Sequence, residues 1–222
     1  MITISCSENK QEVAKVDNVI TKEEQQSLTP DKIMTLLKEG NERFVKGELT
    51  VKDFPKQIIE ASKGQYPKAV ILSCLDSRVP IEKVFDRSIG DVFVARVAGN
   101  IINEDILASM EYGCKVSGAK VIVVLGHTDC GAVKSAIDNV QMGNITELLA
   151  KIRPSIDSLG PYSGEKTSKN KEFVEKVSDE NVKTAIDLIR MESPILKDME
   201  DKGEIRIIGG IYNIENGKVS FF

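Results

Sequence analysis

The chain has 222 residues, 41% of them apolar and 29% charged, with a formal net charge of −4. This suits one soluble globular domain with a sizeable core and gives no electrostatic reason to expect nucleic acid or an anionic membrane as a partner. No apolar run approaches the roughly 20 residues needed to span a bilayer, and tryptophan is absent.

Met1 to Cys6 lacks the basic n-region and the long apolar core of a signal peptide. An intact cytoplasmic start is the economical reading. Ile4, Ser5, Cys6 and Ser7, followed by polar sequence, also resemble the end of a bacterial lipoprotein signal trimmed at its front. That reading would make the protein periplasmic or lipid-anchored. Residues 8–28 are polar and form an arm or an exposed helix. Thr29, Pro30 and Asp31 then start a helix, with proline in the first turn and an acid beside the positive dipole end. Ile33, Leu36, Leu37, Phe44 and Val45 follow at helical spacing, interrupted at Gly40 and stopped at Gly47. A short helix is expected between Asp53 and Gly64.

Lys68 to Ser73 reads as a strand. Val79 to Glu82 opens a helix with Val84 and Phe85 inward, and Val92 to Val97 is a second strand. Residues 104–117 read as a helix closed by Gly118, with Cys114 a small buried hydrophobe. A third strand, Lys120 to Leu125, precedes a helix through Val133, Ala136 and Ile137. Residues 141–200 are mostly helical, broken at Pro154, at Gly160 and Pro161, and by a polar surface loop over 163–171. Gly203 to Ile208 is a strand, and 211–221 reads as a hairpin turning at Asn216 and Gly217. The alternation of strands and helices predicts an α/β fold: a mostly parallel central sheet, flanking helices, an antiparallel edge strand and an N-terminal helical arm.

Two stretches carry the chemistry. Cys74, Asp76 and Arg78 follow the first strand. His127, the sole histidine, and Cys130 sit in a Gly-flanked turn after the third. Parallel neighbours would open their carboxyl ends into one crevice, where open α/β sheets place their sites. Two thiolates, an imidazole and a carboxylate make a tetrahedral set suited to Zn²⁺. Cysteine at a strand end is commonly just packed, and a lone histidine just hydrogen-bonded. It is the pairing of CxDxR with GHxxCG at two strand ends that makes the signal specific.

These residues, with Gly90, Asp91, Phe93, Arg96, Ala98, Gly99, Asn100, Glu111, Tyr112 and Gly131, resemble the β-class carbonic anhydrases. The likeness runs from about Gln65 to Ala136 and resumes at Gly209, Gly210 and Tyr212, so it covers most of the domain. It implies a single zinc domain over 29–222, including a helical arm at 29–64, preceded by an extension at 1–28. The resemblance implies one Zn²⁺ per chain on Cys74, His127 and Cys130, and reversible hydration of CO₂ to bicarbonate by zinc-bound hydroxide. Asp76 would either complete the metal shell or pair with Arg78 and leave the fourth position open. Gln65, Phe93 and Tyr112 match the substrate pocket that relatives build from the neighbouring subunit, which implies a homodimer or tetramer. The Gly131 N–H is a further donor to bicarbonate. Ile71 stands where some bacterial members carry the tryptophan of an inhibitory bicarbonate site, so that site is not implied here.

Competing readings are a hydrolase of carbon disulfide or carbonyl sulfide on the same fold, and a non-catalytic zinc module closed by Asp76. A thiol enzyme using Cys130 with His127 as base is a further one. The Asp76 and Arg78 pair argues against the module, since a structural site needs nothing to draw its fourth ligand away. Convergence of a second cysteine argues for metal over thiol chemistry.

Overall fold

The computed structural model describes residues 18–222, so the readings of Met1 to Cys6 and of most of the N-terminal extension fall outside the described residues. Among the described residues the strands β1 (Ala69–Ser73), β2 (Val92–Arg96), β3 (Val121–His127), β4 (Arg206–Tyr212) and β5 (Val219–Phe221) form one sheet in the order β2-β1-β3-β4-β5. Every pairing is parallel except β4 with β5, the antiparallel edge. The central strands β1 and β3 are buried at every position and almost wholly apolar, because both faces of the sheet are covered there. Val70 and Leu72 of β1, with Ile122 and Val124 of β3, enter a core under α5 (Glu104–Glu111), α9 (Lys171–Glu192) and α10 (Pro194–Asp201). The alternate residues Ala69, Ile71, Val121, Val123 and Leu125 enter a second core under α2 (Pro30–Lys46) and α4 (Ile81–Val84).

The helical arm has more order than its polarity suggests. Helix α1 (Lys22–Ser27) is closed by a capping box between Thr21 and Glu24. Its buried Gln25 donates to the Pro67 and Ser117 carbonyls at 2.7 and 2.8 Å, which docks the arm on the domain. Helix α2 starts on the Thr29 cap and ends on Gly47 in the left-handed region, as expected. It does not break at Gly40. A Cβ there would lie 2.0 Å from the Phe85 carbonyl oxygen, so glycine serves close approach to the end of α4 rather than termination. The α2 face of Ile33, Met34 and Leu37 is buried in the chain's own core.

Three further expectations shift. The helix expected over 104–117 is α-helical only to Glu111, and Tyr112–Val116 form a π-helical turn. The break expected at Pro154 falls just before it, at Lys151 and Ile152 between α7 (Gly143–Ala150) and α8 (Arg153–Asp157), and Pro154 sits in the first turn of the new helix, where its missing N–H costs no bond. Strand β4 continues through Tyr212, so the hairpin to β5 grows from the parallel strand itself. Among the described residues no helix is long and apolar enough to cross a membrane.

Candidate metal centre

Strands β1 and β3 lie side by side with Ser73 opposite Leu125, so Cys74 emerges level with Gly126 and His127. The chain moves to opposite sides of β1 when it forms β2 and β3, and a crevice at such a switch point is the expected place for a site. His127 is the last residue of β3 rather than part of the turn after it. Only Thr128 and Asp129 separate it from Cys130, the cap of α6 (Gly131–Ile137). Asp129 makes this sharp turn in the left-handed region, at φ 59°.

The donor atoms of Cys74, His127 and Cys130 lie within 4.8 Å of one another, and all three residues are buried. The two sulfurs are 3.9 Å apart. Two thiolates about 2.3 Å from a tetrahedral Zn²⁺ would stand about 3.8 Å from each other, so the pair already has the spacing of a shared metal. His127 Nδ1 pairs with the Thr128 carbonyl at 2.9 Å, which fixes the ring with its Nε2 lone pair towards the thiols. That Nε2 is buried and has no hydrogen-bond partner, a cost that a cation in the pocket removes. The residues fit Zn²⁺ on each of these grounds.

The electrostatics follow. The Cys130 thiol lowers the Cys74 pKa well below that of a free thiol against the opposing effect of burial, with His127 and the Gly99 N–H assisting. Cys130 moves the other way, because a second negative charge beside Cys74 in a buried site is unfavourable. A divalent cation would let both ionise. Burial disfavours a charged His127, but Cys74 and the Thr128 carbonyl outweigh it and raise its pKa.

Asp76 is turned away from the sulfurs by Arg78. The guanidinium donates from Nε to Oδ1 at 3.0 Å and from Nη2 to Oδ2 at 2.7 Å, and the Arg78 backbone N–H adds a bond to Oδ1 at 2.9 Å. The Arg78 side chain holds the Asp76 carboxyl down at about pH 2. Oδ2 stays 3.8 Å from His127 Nε2, close enough to face any ligand in a fourth metal position.

Gln65, Phe93 and Tyr112 do meet, but not here. They line one cavity of about 710 Å³ beside the edge strand β2, and no member of the Cys74, His127 and Cys130 group lines it. Gly131, the first residue of α6, is exposed, with nothing within 4 Å of where a Cβ would lie. Arg96 and Gly99, matched in sequence without a role, and Asn181, which was not matched, also shape the site. Arg96 donates to the Cys74 and Asp76 carbonyls and fixes the backbone of the first motif. The Gly99 N–H donates to Cys74 Sγ at 3.4 Å, and buried Asn181 of α9 holds the Gly99 carbonyl at 2.8 Å. An asparagine on the apolar face of α9 beside Val182 was the one signal available.

Residues 69–219 match the family model described as carbonic anhydrase. The chain is 35% identical over 191 residues to carbonic anhydrase 2 of Mycobacterium tuberculosis, which covers 82% of this chain and 87% of that protein. It is 37% identical over 192 residues to a carbonic anhydrase of Mycolicibacterium smegmatis, covering 82% and 88%. Among solved structures, the β-carbonic anhydrase CcaA superposes with a TM-score of 0.68 at 26% identity, over 86% of this chain and 87% of that one.

Proposed function

The chain belongs to the β-class carbonic anhydrases, and we propose that it carries out reversible hydration of carbon dioxide to bicarbonate and a proton, with one Zn²⁺ held by Cys74, His127 and Cys130. When bound, zinc with three protein ligands supplies a nucleophile at neutral pH by lowering the pKa of water from 15.7 to about 7. The rest falls to the chain. Asp76, kept ionised by Arg78, holds at Oδ2 the proton of the attacking oxygen and so turns a lone pair towards CO₂. Arg78 keeps that carboxylate out of the fourth position. Arg96 holds the carbonyls on which the motif turns.

The observation that carries this reading is the two-point Asp76–Arg78 pair beside an intact Cys-His-Cys set. A site built only to brace the fold would use the carboxylate as its fourth ligand. Gln65, Phe93 and Tyr112 we assign to the substrate pocket of a neighbouring copy, with Gly131 N–H as a donor to bicarbonate from within the chain. Their common cavity away from the chain's own thiols supports that assignment, as does exposed apolar surface at Phe54, Ile58 and Ile59.

The test is metal analysis with a stopped-flow hydration assay on purified protein. Wild type should carry one zinc per chain and be active, and Cys130→Ser should lose most of both. Stoichiometric zinc in a Cys74→Ser/Cys130→Ser double variant would overturn the ligand assignment.

A further inference from the structure

Arg78 is held on two sides. Its Nε and Nη2 edge faces Asp76, while its remaining nitrogen, Nη1, lies 3.7 Å from Oδ2 of Asp129. The other Asp129 oxygen, Oδ1, is bound by Lys134, one helical turn into α6. The four side chains therefore form a row of alternating charge, from Lys134 through Asp129 and Arg78 to Asp76. That row runs along the turn joining the proposed ligands His127 and Cys130. The other charged neighbours of Asp76 are His127 and Arg96, and Arg96 is occupied by backbone carbonyls.

We infer that Asp129, anchored by Lys134, is a positioning residue that fixes the Arg78 guanidinium and so holds Asp76 away from the metal position. Arg78 is 49% exposed and Asp129 44%, so their pair taken alone would be a surface ion pair of little consequence. A guanidinium hydrogen-bonded at two nitrogens and ion-paired at the third has fewer other orientations, and a network of charges persists where isolated pairs do not. The inference rests on the Asp76–Arg78 reading above and adds to it the residue that orients the arginine.

Asp129→Asn is the informative variant. Asparagine tolerates the left-handed backbone of this turn, so the change removes charge without forcing the loop. Zinc content should stay at the wild-type level. The midpoint of hydration rate against pH should move to alkaline pH by about half a unit, the equivalent of about a threefold loss of pairing. Crystals grown near neutral pH should show more of the Asp76 carboxylate on the metal than wild type does. A purely through-space effect has the opposite sign, since removing a negative charge beside the metal would move the midpoint to acid pH. Addition of Asp129→Asn to Arg78→Ala should bring no further alkaline shift, because the arginine it acts through is gone. An acid shift, or an unchanged profile while Arg78→Ala loses activity, would overturn the role of Asp129 alone. If Arg78→Ala itself matches wild type, the underlying reading fails instead.

Discussion

Cys114 is the described thiol that the proposed chemistry leaves unused. It lies 2% exposed among Val70, Met110 and Ile122, and burial raises its pKa to about 12. Its folded pKa is above that of an unfolded thiol, near 8.5. The unfolded chain therefore loses this proton first, and the contribution of the site to stability falls as pH rises past about 8.5. Native zinc-loaded protein treated with iodoacetamide at mildly alkaline pH should leave Cys114 unlabelled, and the same treatment in denaturant should label it. Native labelling at the rate of a free thiol would show that the helix opens there. At this scale the first motif was readable because its residues are close in the chain. Asp129 was visible as a letter in the second motif, but its partner Arg78 is on another strand's turn, and that contact depends on the fold.

At the scale of elements, the strands were legible because buried parallel strands leave long β-branched runs. Capping and turn residues likewise marked α2 and the hairpin. The joints between elements were not legible. Asp86 is fully buried and binds Arg43 of α2, Lys52, and both the N–H and hydroxyl of Thr50. Its partners lie 34 to 43 residues away, so no local pattern announces them. Burial alone would raise the Asp86 pKa, but Lys52, Thr50 and Arg43 more than reverse that and hold it low. Its stabilisation is then complete above the unfolded pKa of about 3.9 and is lost as pH falls towards the lower folded value. Asp86→Asn should cost about 3 kcal/mol by leaving Lys52 uncompensated, a figure towards the low end because Arg43 is a third exposed and can turn to water. Urea denaturation at pH 7 measures the loss, and the gap from wild type should close below about pH 4. Equal stability at pH 7 would mean that the Asp86 contacts contribute nothing to holding the arm.

At the scale of the whole molecule, the cavity of Gln65, Phe93 and Tyr112 beside edge strand β2 makes sense only with a second copy, if those residues bind substrate. Activity should therefore follow assembly. Sedimentation at assay concentration should give a dimer or tetramer, and a fully active monomer would contradict the shared site. The single chain could suggest this arrangement only through family likeness, because an interface leaves no more trace in one sequence than exposed apolar residues such as Phe54, Ile58 and Ile59.

The central claim is that Asp76 and Arg78 keep a zinc position open for catalysis, and it is tested most directly by CO₂ hydration by Arg78→Ala and wild type at matched zinc content, from neutral to alkaline pH. Wild-type activity should rise through the alkaline range, with a midpoint belonging to the coupled site rather than to one residue. The variant should retain its zinc and lose activity by more than about tenfold near neutrality, the scale of a lost charge-assisted hydrogen bond. Equal rates at every pH, with equal zinc, would contradict the account.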